Sequence, residues 1–236
     1  MIPYRDNITT LHTPWVTWVL MGINFVLFLL TWFMPEASLT SLLYRFGLVP
    51  ARFTYPTWAQ LSGLSLLDFV PFVTSMFLHS SWLHILLNMW LLWIFGDNVE
   101  DRMGPWRFVC FYLLCGIVAG LVQINADPKS TIPAIGASGA LAGIMGAYFF
   151  LYPYARIVIW VLFLPIFVEV PAISFVGAWV IFQLYKATTG VPIGTGVPDV
   201  GWWGHLGGFI TGALIYRLFL RHGPTIGFEP SSSHSS

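Results

Sequence analysis

Long apolar runs separated by short polar stretches dominate the chain. A helix needs about 20 apolar residues to cross a bilayer core, and a helical period of small and apolar positions recurs within several of these runs. The pattern predicts an all-α polytopic membrane protein with six transmembrane helices. The predicted spans are Trp15–Phe33, Pro71–Phe95, Pro105–Ile124, Ser138–Tyr152, Glu169–Ala187 and Trp202–Leu220.

The stretches between these spans are less regular. Residues 34–70 are too long and too apolar for a bare linker, so they predict short amphipathic helices in the membrane interface. The polar segment Gly96–Gly104 is expected to end the second span, which would be helical from about Trp82. Residues 157–168 are apolar and β-branched but interrupted by Pro165; we interpret them as an interfacial segment, with one long kinked helix through the fifth span as the alternative.

Composition supports a membrane protein and excludes a polyanion-binding surface. Hydrophobic residues make up 57% of the chain, charged residues 8%, and the formal net charge is zero. Soluble domains are about a quarter charged, so the expected partners include the lipid bilayer and exclude nucleic acid. Cys110 and Cys115 lie in one apolar run and give no disulfide framework.

Six spans would place both termini on one side of the membrane. Six basic residues fall on that side and four on the other, which favours cytoplasmic termini by the positive-inside rule. The first set is Arg5, Arg102, Arg107, Arg156, Arg217 and Arg221, and the second is Arg45, Arg52, Lys129 and Lys186. We expect a short cytoplasmic N-terminus over 1–14, a six-helix domain over 15–222 and a disordered tail over 223–236. The first apolar run is expected to be an uncleaved helix.

The sequence Gly136-Ala137-Ser138-Gly139 opens the fourth span. That span is only 15 residues, roughly 22 Å of helix at ~1.5 Å per residue, against a bilayer core of ~30 Å. The turn before it is therefore expected to dip into the membrane, with Ser138 at a buried helix start. A serine between glycines is either a helix-packing feature or a nucleophile.

The sixth span carries a histidine on a face of small residues. His205, Gly208 and Gly212 fall at i, i+3 and i+7, and the fourth span has its own small positions, including Gly139 and Gly143. Two such faces can pack backbone to backbone, which would bring His205 within reach of Ser138. His205 is therefore either a general base or a histidine that packs at the crossing of two helices.

His84 and Asn88 lie four residues apart on the second span, so both point the same way. A serine that attacks a carbonyl needs donors where the oxyanion develops, and these two side chains with the Ser138 backbone N–H could supply them. Gly136 is a further candidate for this oxyanion hole. There are two alternatives: a structural Asn–His hydrogen bond, and a metal site formed by His79, His84 and His205. No carboxylate or thiolate lies nearby in sequence to complete the metal site.

Taken together, these motifs resemble the rhomboid family of intramembrane serine proteases. Gly136-Ala137-Ser138-Gly139, His84-x-x-x-Asn88 and Gly204-His205-Leu206-Gly207-Gly208 occur in the family's order over about residues 12–222. His79, Gln123 and the segment 100–104 are further matches. The resemblance implies a six-helix rhomboid-type bundle and a Ser138/His205 dyad, with Ser138 as nucleophile and His205 as general base. It implies a water-filled site, and it marks structural residues: His79, Gly139, Gly208, Gly212, Glu100 and Arg102.

Two positions depart from the family pattern. Some members carry an aromatic residue four positions after the serine, against which the histidine packs, whereas this chain has Ala142. Other groups must therefore orient His205. The Trp-Arg pair that some members have ahead of the second span would fall at Val70-Pro71, so that loop is expected to be anchored differently.

The resemblance implies a serine endopeptidase that cuts peptide bonds in or near transmembrane segments of membrane proteins, with no cofactor or metal. Span 5 and the loop Thr188–Val200, which we expect to be mobile, would form a gate and lid. The alternative is a catalytically inactive rhomboid-like chaperone or quality-control factor; a small transporter is less compatible with the few intramembrane charges. The expected location is the bacterial inner (plasma) membrane.

Overall fold

The computed structural model describes residues 2–161, 166–189 and 201–221. These residues form ten α-helices, one 3₁₀ turn (Ser75–Phe77) and three strands. The helices are α1 (Trp15–Trp32), α2 (Glu36–Phe46), α3 (Pro50–Thr54), α4 (Pro56–Leu61), α5 (Pro71–Thr74), α6 (Trp82–Met103), α7 (Pro105–Ala126), α8 (Ser138–Leu151), α9 (Ala172–Thr189) and α10 (Trp202–Phe219). The strands are β1 (Ile2–Asp6), β2 (Arg156–Val161) and β3 (Ile166–Pro171).

Helix α8 occupies the centre of the bundle. It packs against α6, α7 and α10, and every residue from Ala140 to Tyr148 is buried. Its small side chains allow these neighbours to approach closely, since helix backbones can come together only where side chains are short. The shortest of the predicted spans is thus the one that the others surround.

A three-stranded antiparallel sheet corrects the prediction of an all-α chain. Its order is β1-β2-β3, and Ile157 pairs with Asp6 on one side and Val170 on the other. The described residues 157–161 and 166–168 are strands, so the alternative of one long kinked helix is wrong, and the fifth span begins at Ala172 rather than at Glu169. A position of this segment in the membrane interface stays a prediction. A β-branched run fits a strand, and β1 supplies a backbone partner from the N-terminal segment.

Helix α6 continues through the polar segment that was expected to end it. It runs to Met103, and Gly104 ends it with a φ of +78°. Polar side chains persist in its last turns because each finds a partner there. Asn98 Nδ2 donates to Asp6 at 2.8 Å and to the Ile94 carbonyl at 3.2 Å.

Glu100, predicted to be structural, caps another helix. Its carboxylate accepts hydrogen bonds from the backbone N–H of Val16 at 3.0 Å and of Thr17 at 2.8 Å, and from the Thr17 hydroxyl at 2.8 Å. The first N–H groups of a helix have no partner within it. A buried carboxylate of α6 thus fixes the start of α1. The Arg102 carbonyl accepts from Arg221 N at 3.0 Å, which ties α10 to the same end.

The two predicted sets of basic residues lie at opposite ends of the bundle. The end that carries the sheet, here called the sheet end, holds Arg102, Arg156 and Arg221. At the other end, here called the site end, Arg52 donates to the Arg45 carbonyl and pairs with Asp68 at 2.7 Å. The direction of this axis in a membrane stays a prediction.

Two of the described helices, Trp15–Trp32 and Pro105–Ala126, are long and apolar enough to cross a membrane unaided. A third candidate is the bent pair Pro71–Phe77 and Trp82–Met103, whose axes differ by 97°. The six predicted spans all correspond to helices, but a count of six crossings stays a prediction. The predicted tail and most of the predicted lid, residues 223–236 and 190–200, lie outside the described residues.

Candidate active site

Ser138 is the first residue of α8 and lies below the site end of the bundle. A Cβ at Gly139 would be 2.7 Å from the Ala119 Cβ, so the start of α8 is level with Ala119. Seven further residues of α7 extend beyond that level to Ala126, a distance of about 10 Å at ~1.5 Å per residue. Ser138 is only partly exposed, which places its hydroxyl in a recess between helices.

His205 meets Ser138 across the α8–α10 contact. Its Nε2 lies 2.7 Å from Ser138 Oγ. The two helices approach this closely because Gly208 and Gly212 of α10 lie on the backbone of α8: a Cβ at either would overlap the carbonyl oxygen of Gly139 or Gly143, respectively. The stripe of small residues therefore sets the separation of the two reacting groups.

The other side of the His205 ring contacts α9. His205 Nδ1 lies 2.9 Å from Gln183 Oε1, and the Trp179 ring lies 6.1 Å from the imidazole at an interplanar angle of 31°. The Trp202 ring meets the imidazole edge-on, 6.0 Å away at 85°. The sequence patterns pointed to neither Gln183 nor Trp179, although a glutamine within an apolar helix is a signal of a possible role.

Ala142 explains why the support for His205 comes from α9. Ala142 is completely buried, and a Cβ at Gly208 would lie 3.4 Å from the Ala142 Cβ. An aromatic side chain at this position would have to displace the backbone of α10, because buried helix contacts have no room for added volume. The aromatic support thus comes from a different helix.

The segment before α8 contacts the side chains of His84 and Asn88. Gly136 has a φ of +119°, and a Cβ there would lie 2.6 Å from His84 Nε2 and 3.4 Å from Asn88 Nδ2. Both conditions require glycine. The predicted oxyanion-hole side chains are therefore in contact with the turn that leads to Ser138.

Further hydrogen bonds hold the two side chains. Asn88 Nδ2 lies 3.0 Å from His79 Nε2, and Ser80 Oγ lies 3.2 Å from His84 Nδ1. The backbone N–H of Gly136 donates to the Ser75 carbonyl at 2.9 Å, so this group is not available as an oxyanion donor. What Gly136 contributes is space and a backbone bend.

This arrangement supplies the elements of acyl transfer. Ser138 Oγ has a base within hydrogen-bond reach, which is the geometric requirement for activating a hydroxyl. The amide groups at the start of α8 have no helical partner, and the Asn88 side chain lies beside the same turn. Within residues 2–161, 166–189 and 201–221, no group of three or more His, Cys, Asp or Glu could hold a metal ion.

Comparison with known proteins gives a consistent family. Rhomboid protein 1, mitochondrial, of Saccharomyces cerevisiae is 29% identical over 149 residues, which cover 61% of this chain and 40% of that protein. RHOMBOID-like protein 6, mitochondrial, of Arabidopsis thaliana is 30% identical over 160 residues, covering 58% and 52%. Presenilin-associated rhomboid-like protein, mitochondrial, of Homo sapiens is 31% identical over 99 residues, covering 41% and 26%.

The chain thus spans about half or less of the length of each of these curated relatives. The family model of the Rhomboid domain matches residues 67–222, a region that contains α6 to α10 and all the site residues described above. The match covers well over half of the chain, and the chain belongs to the rhomboid family.

Proposed function

We propose that this protein is an intramembrane serine endopeptidase, with Ser138 as nucleophile and His205 as general base. The observation that carries the proposal is the 2.7 Å contact between Ser138 Oγ and His205 Nε2. Members of a family can share a fold and differ in activity, so the proposal depends on this contact and not on family membership alone.

In the proposed reaction, His205 Nε2 takes the hydroxyl proton as Ser138 Oγ bonds to the substrate carbonyl carbon. The carbonyl π electrons move to oxygen, and donors near the start of α8 stabilise the oxyanion; losing one such donor costs roughly 3 to 4 kcal/mol. When the oxyanion collapses, the C–N bond breaks and Nε2 returns its proton to the leaving nitrogen. Water then hydrolyses the acyl-enzyme by the same two steps.

The depth of the site limits the substrate. A peptide bond must reach a hydroxyl about 10 Å below the end of α7 (seven residues at ~1.5 Å each), yet a helical substrate holds its carbonyls in its own hydrogen bonds. We therefore propose transmembrane segments of other proteins as substrates, cut at or near residues that weaken a helix, such as glycine. The catalytic unit is the predicted domain over residues 15–222.

We propose a multi-pass integral membrane location with both termini on one face. The relatives above are named for mitochondria, and one further relative, Rhomboid-like protein 11 of Arabidopsis thaliana, is named for chloroplasts. These names give no support to the bacterial inner membrane that was expected from the sequence.

Labelling with a fluorophosphonate probe in membranes tests the proposal. The wild type is expected to be labelled at Ser138 and to cleave a transmembrane substrate, whereas Ser138→Ala and His205→Ala are expected to lose both activities and keep the wild-type melting temperature within a few degrees. Cleavage by purified Ser138→Ala would overturn the nucleophile assignment. A wild type that neither labels nor cleaves would favour an inactive rhomboid-like chaperone.

A further inference from the structure

We infer that Gln183 of α9 is a positioning residue that sets the tautomer of His205, so that Ser138 is activated only while α9 is seated against α10. The inference rests on the proposed function and extends it to a residue outside the Ser138/His205 pair. It also gives a specific answer to what orients the histidine in a chain that has Ala142.

The hydrogen-bond chemistry of the pair is directional. An amide oxygen can only accept, and a neutral imidazole carries its proton on one nitrogen. Gln183 Oε1 lies 2.9 Å from Nδ1, so Nδ1 bears the proton and donates it. The lone pair is then on Nε2, which faces Ser138 Oγ. This is the tautomer that a general base requires.

Helix α9 contributes a second contact of the same kind. Trp179 and Gln183 are four residues apart, hence on one face of the helix, and both reach the His205 ring. Trp179 also packs on Phe209 of α10, with ring centroids 6.4 Å apart. The indole limits the tilt of the imidazole plane. The hydrogen bond to the amide limits the rotation of the imidazole about its bond to Cβ.

The polar face of α9 continues for one more turn. Lys186 is buried, and its Nζ lies 5.9 Å from the centre of the Trp202 ring. That ring is the one that meets His205 edge-on from its own helix. Two polar side chains that an apolar helix keeps buried, Gln183 and Lys186, thus lie on the side of α9 that faces the start of α10.

Gln183 is a neutral partner where a carboxylate could have stood. Among the described residues no carboxylate pairs with His205. His84 on α6 interacts electrostatically with it, and Lys186 on α9 reaches the Trp202 ring that meets the imidazole edge-on. An amide fixes the tautomer without attracting a second proton to the ring. A carboxylate at this position would fix the same tautomer and also favour the imidazolium ion.

Two variants separate positioning from packing. Gln183→Met keeps the length of the side chain and removes the acceptor, whereas Gln183→Glu keeps an acceptor and adds a charge. We expect Gln183→Met to lower kcat about 10- to 100-fold, with KM unchanged and with fluorophosphonate labelling slowed by the same factor. We expect Gln183→Glu to restore labelling and to move the acidic limb of the pH–rate profile to higher pH.

Asn125→Leu is the matched control, because it removes an amide from an exposed position of α7, outside the site and the predicted gate and lid, where Nδ2 donates to the Leu121 carbonyl of its own helix. It is expected to match the wild type in rate and pH profile. Wild-type rates in Gln183→Met, or equal losses of rate and of melting temperature in both Gln183 variants, would overturn the inference. A wild type without labelling at Ser138 is a different result, since it removes the proposed function itself.

Discussion

Gly136 lies so close to His84 that a Cβ at position 136 would come within 2.6 Å of His84 Nε2. The backbone that leads to the nucleophile and the side chain expected to bind the oxyanion are thus in direct contact. Any side chain at this position must move one of them.

Gly136→Ala is therefore expected to lower kcat by about 10²- to 10³-fold, the loss typical of one displaced oxyanion donor, with little effect on KM. Steady-state cleavage of a transmembrane substrate measures both constants. Gly63→Ala is the control for backbone strain, because Gly63 also has a positive φ, +69°, but no atom lies within 4 Å of its Cβ position. A Gly136→Ala enzyme with wild-type kcat would contradict the predicted oxyanion hole.

Gly208→Ala is expected to separate the two halves of the dyad. The added methyl group would overlap the Gly139 carbonyl, which belongs to the backbone and cannot rotate away. Helix α10 must then shift, at a cost of about 1–3 kcal/mol, and His205 moves away from Ser138. Slower fluorophosphonate labelling together with a lower melting temperature would show this.

Gly177→Ala serves as the comparison for that experiment. It adds the same methyl group within α9 at a position with no atom within 4 Å. Alanine is favoured over glycine in a helix by roughly 0.5–1 kcal/mol, so the melting temperature is expected to stay level or rise, with labelling unchanged. Equal behaviour of the two variants would show that the α8–α10 contact does not depend on glycine.

Asp6 makes the stability of the sheet end depend on pH. Burial raises the pKa of its carboxyl from 3.8 to about 6, against the opposing effect of hydrogen bonds from Tyr148 and Asn98. The protonated form is thus favoured in the folded state, so its contribution to stability is complete below pH 3.8 and is lost as pH rises through about 6.

Asp6→Asn removes this dependence. Relative to the wild type, the variant is expected to gain about 1 kcal/mol of stability between pH 5 and pH 7.5, read as a change in the difference between their melting temperatures. Asp127→Asn, in the loop after α7, changes a carboxylate away from the sheet and is the comparison. A constant difference between wild type and Asp6→Asn across this range would contradict the assignment.

The helices that the sequence defined well are those bounded by proline or glycine. Helices α1, α7, α8 and α10 begin where predicted and end within two residues of the predicted ends, because each apolar run has a clear stop. The contacts between these helices were harder to predict from the sequence. A stripe of small residues on both α8 and α10 was nevertheless enough to suggest which faces meet, and that Ser138 and His205 could come together.

The three-stranded sheet and the full length of α6 were missed for one reason. Both depend on partners far along the chain: Ile157 pairs with Asp6, and Asn98 hydrogen-bonds the same Asp6. Local periodicity cannot show such pairing, and a short apolar β-branched run is ambiguous between helix and strand. Gln183 was missed similarly, since an amide in an apolar helix shows its role only when its neighbour is known.

The sheet fixes one end of α9, and the contacts described above near its other end are made by the side chains of Gln183 and Lys186. Strand β3 leads directly into the helix, where Ala172 N and Ile173 N donate to carbonyls of residues 155 and 153. Gln183 lies eleven residues further along, about 16 Å at ~1.5 Å per residue. A tilt of about 10° around this anchored base would carry its amide roughly 3 Å sideways, enough to break a hydrogen bond. Over this length, a small lateral separation of α9 from α10 would be enough to break the hydrogen bond between Gln183 and His205, and the general base would be lost.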